Sequence, residues 1–84
     1  MDDYVLEVKE EEGSFSLESL KFSSKNEGGA KRTARKEAKK VFQERKINAG
    51  IAVLNKWIVR NGTDWLVPIA RWKMAKAVFM KKIK

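Results

Sequence analysis

The dipeptide Asn61-Gly62 constrains the fold of this chain more than any other feature. A two-residue type I′ turn needs a positive φ at both central positions, which Asn and Gly tolerate best. The run before it, Ile51–Val59, is apolar and rich in residues that favour strands. The sequence therefore predicts a β-hairpin that pairs Arg60 with Thr63. Pro68 has no N–H to donate to a ladder, so it marks an edge strand or the end of the strand.

An alternating pattern near the N-terminus predicts another hairpin, spanning Tyr4–Phe22. Its first part, Tyr4–Lys9, has the period of a strand with one buried face. Ser14–Phe22 alternates again, except for a break that indicates a β-bulge near Glu18-Ser19. The charged turn Glu10–Gly13 joins the two strands.

The Ala- and Lys-rich run between the hairpins predicts a helix that ends at about Lys46. Two residues compete for its N-cap. Ser24 fits the S-x-x-E capping box with Glu27, and Asn26 is the rival. At about 100° per residue, one arc of the helix is apolar, formed by Ala30, Ala34, Ala38, Val41 and Phe42. Because this arc is mostly Ala, the helix can lie close against a sheet.

The opposite arc of this helix is basic and consists of Arg32, Arg35, Lys36, Lys39 and Lys46. Residues 1–29 carry eight acidic and three basic side chains, whereas residues 30–84 carry three acidic and sixteen basic ones. A merely solvated face usually mixes both signs. The arc and the net charge of +8 therefore favour a polyanion or an acidic protein surface as the partner.

The last segment, Ile69–Lys84, fits an amphipathic helix that closes the core. Its apolar stripe comprises Ile69, Trp72, Ala75, Phe79 and Ile83, and its terminal Lys residues suit the negative end of the helix dipole. A chain of 84 residues makes one domain. The predicted architecture is therefore a single α+β domain over residues 1–84, with the order β-hairpin, central basic helix, second β-hairpin, C-terminal helix (ββαββα).

The residue types that are missing exclude much of enzyme chemistry. The chain has no Cys and no His, which excludes the usual zinc sites and catalysis by imidazole or thiol groups. The segment Gly28–Lys31 lacks the spacing of a phosphate-binding loop. We expect a protein without catalytic activity, metal or cofactor. The lack of Cys favours a cytoplasmic setting, and no apolar run approaches the roughly 20 residues of a membrane span.

Three Trp residues lie close together in the second half of the chain, beside several bases. We expect Trp65 and Trp72 in the core of so small a domain. Trp57 falls on the less clearly covered face of the second hairpin, where its ring could stack on a base. Arg60 and Arg71 are the nearby bases that could join such a contact.

The leading hypothesis is a non-catalytic protein that binds DNA or RNA with low sequence specificity, since phosphate contacts carry no sequence information. The candidate contacts are Lys31, Arg32, Arg35, Lys36, Lys39, Lys40, Lys46, Trp57, Arg60 and Arg71.

The alternative is a protein-interaction module. The helix motif A-K-R-x-A at Ala30–Ala34, together with the element order and the size, resembles small phage-encoded proteins, including anti-CRISPR inhibitors. The resemblance implies an inhibitor or adaptor that docks its basic face on an acidic or nucleic-acid-binding surface of a host complex, and it assigns no site residue. The apolar faces of the second hairpin also leave a homodimer open.

Overall fold

The computed structural model describes residues 1–10, 16–47 and 49–75. They form a four-stranded antiparallel sheet with the strand order β2-β1-β3-β4 and one helix packed on one of its faces. The elements are β1 (Asp2–Lys9), β2 (Ser16–Ser24), α1 (Glu27–Glu44), β3 (Ala49–Arg60) and β4 (Thr63–Ala75). The predicted α+β class and the order of the first five elements are confirmed.

The hairpin of β3 and β4 has the predicted turn. Asn61 has a φ of 53° and Gly62 a φ of 74°, as a type I′ turn requires. Arg60 pairs with Thr63, as predicted. Within the described residues β4 pairs only with β3, so Pro68 lies in an edge strand.

The predicted C-terminal helix is wrong over residues 69–75, which belong to β4. Residues 70–74 alternate apolar and basic side chains, so they fit the period of a strand as well as that of a helix. Pairing with β3 decided between the two, because Ala70 pairs with Leu54 and Met74 with Gly50. The remainder of that predicted helix lies outside the described residues.

The first hairpin contains an irregularity close to the predicted bulge. Val8 pairs with Glu18 and Lys9 with Ser16, so Leu17 is the extra residue of β2. The bulge therefore lies one residue before Glu18-Ser19. The Leu17 side chain is half-buried and packs against the core.

The core lies between α1 and the sheet face that it covers. Small side chains on α1 let the helix approach closely, and larger ones come from the strands. The fully buried set is Tyr4, Leu6, Val8, Ala30, Ala34, Ala38, Phe42, Ala52 and Leu54. Gly50 is required here because a Cβ would lie 2.3 Å from the Lys9 carbonyl oxygen and 2.5 Å from Cε1 of Phe42.

The N-terminus of α1 is capped by Asn26 rather than by Ser24. The Oδ1 atom of Asn26 accepts a hydrogen bond from the Gly29 N–H at 2.7 Å. The Ser24 hydroxyl donates instead to the Asn26 carbonyl at 3.0 Å, and Glu27 forms an ion pair with Lys31 at 3.5 Å. The capping-box prediction is therefore wrong, and its rival is confirmed.

The C-terminus of α1 has the hydrogen bonds of a Schellman motif. The Ile47 N–H donates to the Phe42 carbonyl at 3.0 Å, and the Lys46 N–H donates to the Gln43 carbonyl at 3.2 Å. Lys46 has a φ of 57°, the left-handed region that favours glycine. The helix thus ends at Glu44, and Lys46 lies beyond it.

Candidate nucleic-acid interface

The outer face of α1 brings together five of the ten predicted contact residues. Their spacing along the chain places them on one side of the helix, away from the sheet. We call this set the basic row: Arg32, Arg35, Lys36, Lys39 and Lys40. With Gln43 they line a shallow surface depression of about 430 Å³, and none of its described lining residues has a carboxylate.

No acid of the described residues forms an ion pair with the basic row. Three ion pairs occur among the described residues. They are Lys31–Glu27 at 3.5 Å, Arg45–Glu18 at 3.2 Å and Lys56–Asp2 at 3.5 Å. None of the five cations of the basic row takes part in an ion pair or a hydrogen bond within the described part of the chain. Their positive charge is therefore available to a partner.

The opposite arc of the helix fixes the basic row in place. Ala30, Ala34 and Ala38 are fully buried against the sheet, so the helix axis lies close to the core. The rotation of the helix about its axis is set by these residues and by Phe42. The row is consequently a positioned surface on a regular element, and its side chains need only adjust their rotamers to meet a ligand.

Two of the three acids of α1, Glu37 and Glu44, lie on one flank, whereas Glu27 lies in the first turn and forms an ion pair with Lys31. Glu37 and Glu44 line a second depression between the helix and β2, together with Glu18 of that strand. Lys40 lines both depressions and marks their boundary. The acidic flank therefore borders the basic row without interrupting it.

Two further predicted contacts of the helix region stand apart from the basic row. Lys31 is adjacent to it but forms an ion pair with Glu27. Lys46 is exposed but follows the end of α1, so its predicted place on the basic arc is wrong. The left-handed backbone at Lys46 turns the chain away from the helical path.

The remaining predicted contacts lie on the hairpin of β3 and β4. Arg60 is exposed beside the turn. Trp57 and Arg71 belong to the sheet face opposite α1, where Trp57 pairs with Asp3 and Arg71 pairs with Val53. Neither residue can therefore act on the same surface as the basic row.

The sheet face opposite α1 carries both signs of charge. A groove of about 580 Å³ is lined there by apolar residues and by Glu7, Lys9 and Arg71. Asn55 is buried at its floor and donates through Nδ2 to the Val5 carbonyl at 3.2 Å. Because the carboxylate of Glu7 lines this groove and repels phosphate, the groove is a poorer site for phosphates than the basic row.

The three Trp residues have three different environments. Trp72 packs against the core, as predicted. Trp65 is 56% exposed, so its predicted core position is wrong. The reason is that α1 packs on β1, β2 and β3, and the pairing of β1 with β3 begins at Asp3 and Trp57. Among the described residues, no third strand lies beside the hairpin end beyond that pair.

Two residues at these surfaces were missed by the sequence analysis. Gln43 lines the depression of the basic row, and its helical spacing from Arg32 and Lys36 could have indicated it. Lys21 places its Nζ atom 3.8 Å from the ring centroid of Trp57. No local signal could have found that contact, because it depends on the pairing of β2, β1 and β3.

Within residues 1–10, 16–47 and 49–75, no cluster of three or more His, Cys, Asp or Glu side chains could hold a metal ion. In the same ranges, no helix has the length and hydropathy needed to cross a membrane. Comparison with protein-family models, with curated proteins and with solved structures found no match.

Proposed function

We propose that this protein binds nucleic acid without catalysing a reaction, and that the basic row makes the phosphate contacts. The observation that carries this proposal is the set of five cations on one helix face that have no acidic partner among the described residues. A cation that is already paired gains little from a phosphate. An unpaired one neutralises the phosphate and releases condensed counterions, which drives binding.

The dimensions of the basic row suit a polyanion. Arg32 and Lys40 are eight residues apart, which corresponds to about 12 Å along a helix axis. Duplex DNA carries one charge per about 1.7 Å, so a row of this length spans about seven phosphate charges. Each of the five cations can then meet a phosphate, with the two Arg guanidinium groups able to bind two oxygens at once.

The contacts proposed here predict low sequence specificity. Lys and Arg contacts to phosphate fix the position of a protein on nucleic acid and do not read the bases. Trp57, which was predicted to stack on a base, lies on the sheet face opposite α1. A protein that binds through the basic row alone therefore has similar affinity for unrelated sequences of the same strandedness.

The test is titration of labelled duplexes of two unrelated sequences at several salt concentrations, followed by fluorescence anisotropy. Five neutralised phosphates predict a slope of log K against log salt of about −4 to −5. Both sequences should give the same slope and nearly the same affinity. No binding at low salt, or affinity that does not change with salt, contradicts the proposal.

A second experiment tests whether the partner is a protein instead of a nucleic acid. Capture from a lysate is performed with and without nuclease treatment, using the full chain as bait. A single partner that survives nuclease, combined with poor affinity for free nucleic acid, contradicts the proposal. It would instead favour a docking module that presents the basic row to an acidic protein surface.

A further inference from the structure

Exposed large hydrophobic residues concentrate on the hairpin of β3 and β4. Val59, Trp65, Leu66 and Val67 are 66%, 56%, 47% and 41% exposed. Outside this hairpin, Met1 is the one other large hydrophobic residue of the described chain with such exposure. Contiguous exposed apolar residues in a soluble domain mark an interaction surface. Trp65, Leu66 and Val67 are consecutive residues of β4, and we call them the apolar edge.

The two edges of the sheet differ in chemistry. At the β2 edge, Glu18 and Lys21 are charged and Leu17 forms a bulge, and charged side chains and bulges are the usual protection of an edge against another strand. At the β4 edge, the first part, Thr63–Val67, contains one charged residue, Asp64, beside the apolar edge. No described strand pairs with the outer side of β4. The β4 edge is therefore suited to accept another strand.

The register of the hairpin shows which backbone groups point outward from β4. A two-residue loop makes Arg60 and Thr63 a hydrogen-bonded pair. Hydrogen-bonded and non-hydrogen-bonded pairs then alternate along an antiparallel ladder. The N–H and C=O groups of Asp64 and Leu66 consequently point away from β3, toward the edge where no described strand pairs. Pro68 occupies the next outward position and has no N–H, so an added strand meets a complete set of partners only over Thr63–Val67.

We infer that a second copy of this chain binds this edge, pairing its own Thr63–Val67 segment antiparallel to the first. With Trp65 on the two-fold axis, Asp64 of each copy forms a hydrogen-bonded pair with Leu66 of the other. The ladder then has four backbone hydrogen bonds, and every outward group of these two residues is satisfied. Pro68 falls opposite Gly62 of the second copy, where the ladder ends.

The side chains support the same arrangement. On the two-fold axis the two Trp65 residues form a non-hydrogen-bonded pair, whose Cβ atoms are about 4.5–5.5 Å apart. Aromatic pairs in such positions stabilise a sheet relative to an Ala pair. Thr63 of each copy lies opposite Val67 of the other. One segment thus supplies both halves of a symmetric contact, as a two-fold interface requires.

The positive charge of the chain does not oppose this contact strongly. The basic row lies on α1, which packs on β1, β2 and β3. Five strand spacings of about 4.8 Å separate β1 from its copy, so the two rows are about 24 Å apart. The Debye length at physiological salt is about 8 Å, so their repulsion is largely screened. The contact has only five residues a side, against about 20–30 for a standard interface, so we expect a dimer that dissociates on dilution.

The symmetry also relates the dimer to the basic row. The two-fold axis of an antiparallel ladder between identical strands is perpendicular to the sheet, so both helices lie on the same face. If the proposed function holds, a nucleic acid longer than the spacing of the two rows contacts both of them, and its affinity rises with dimer formation. The dimer itself does not depend on that function, and its test uses no nucleic acid.

The first test is sedimentation equilibrium of the full chain across a concentration series. The wild type should show a monomer–dimer equilibrium. Leu66→Pro removes the outward N–H at a position that donates nothing to β3, so it should abolish the dimer. The matched control Val59→Thr removes an exposed apolar side chain away from the β4 edge and should leave the dimer unchanged. A wild type that is monomeric at every concentration overturns the inference.

The second test uses the absence of Cys from the chain. Under mild oxidation, Trp65→Cys should form a disulfide across the two-fold axis, because the Cβ separation of such a pair approaches disulfide geometry. The double variant Thr63→Cys with Val67→Cys keeps Trp65 and should also crosslink. Val59→Cys is the control, because Val59 is at least as exposed to solvent as Trp65. Crosslinking at Val59 as fast as at Trp65 overturns the inference, even if Leu66→Pro proves unable to fold.

Discussion

The ammonium group of Lys21 lies 3.8 Å from the centroid of the Trp57 ring, on the sheet face opposite α1. Lys21 belongs to β2 and Trp57 to β3, with β1 between them, so the contact bridges three strands. One face of the ring is occupied by the cation. Trp57 is therefore better described as part of the sheet surface than as a platform for a base.

This contact predicts a small stabilising role for Lys21 and none in nucleic-acid binding. Lys21→Met keeps most of the side-chain volume and removes the charge. We expect the free energy of unfolding to fall by about 0.5–1 kcal/mol, the usual size of an exposed cation–π contact. Urea unfolding followed by circular dichroism measures it. An unchanged stability would show that the contact contributes nothing, and a large loss of nucleic-acid affinity would return Trp57 to the binding surface.

The cap of α1 gives a second prediction. Asn26→Ala removes the acceptor of the Gly29 N–H and should lower the free energy of unfolding by about 1 kcal/mol. Ser24→Ala removes only a hydroxyl that donates to the Asn26 carbonyl, so its effect should be smaller. Both variants are compared by urea unfolding. A larger loss from Ser24→Ala than from Asn26→Ala would contradict this assignment of the cap.

The end of α1 gives a third prediction, because Lys46 occupies a left-handed position with a φ of 57°. Lys46→Gly should raise the free energy of unfolding by about 0.5–1 kcal/mol, since only glycine adopts this conformation without steric cost. Lys46→Ala loses the same charge but keeps the strain, so it is the matched control and should not stabilise. Equal stability of the two variants would show that the backbone at Lys46 is not strained.

The parts of the fold that the sequence predicted correctly are those decided locally. The turn at Asn61-Gly62 follows from the φ preferences of two residues. The buried arc of α1 follows from helical periodicity, and the same periodicity places Arg32, Arg35, Lys36 and Lys39 opposite it. Four of the five residues of the basic row were therefore predicted to lie together without knowledge of the sheet.

The predictions that failed depend on partners distant in the chain. Residues 70–74 fit both periods, and only their pairing with β3 makes them a strand. Trp65 is exposed because β1 does not extend beside the hairpin end, which the sequence of the hairpin does not reveal. Arg71 lies on the sheet face opposite α1 for the same kind of reason, since the face of a strand is set by its register. Trp57 lies on the hairpin face that α1 does not cover, as predicted.

The most direct test of whether the basic row makes the phosphate contacts compares two double variants. One reverses two charges of the row, and the other makes the same change in net charge elsewhere. Arg35→Glu with Lys39→Glu reverses two members of the basic row. Lys25→Glu with Lys73→Glu makes the same change in net charge at exposed positions outside it. Affinity for a labelled duplex is measured at a fixed low salt concentration, after circular dichroism has verified that both variants are folded.

If the basic row makes the phosphate contacts, the first variant loses at least about 100-fold in affinity, because two cations are lost and two repulsive charges are added. The control, which changes only the net charge of the domain, should lose less than about tenfold. Equal losses in the two variants would contradict the account, since they would show that binding depends on net charge and not on this helix face.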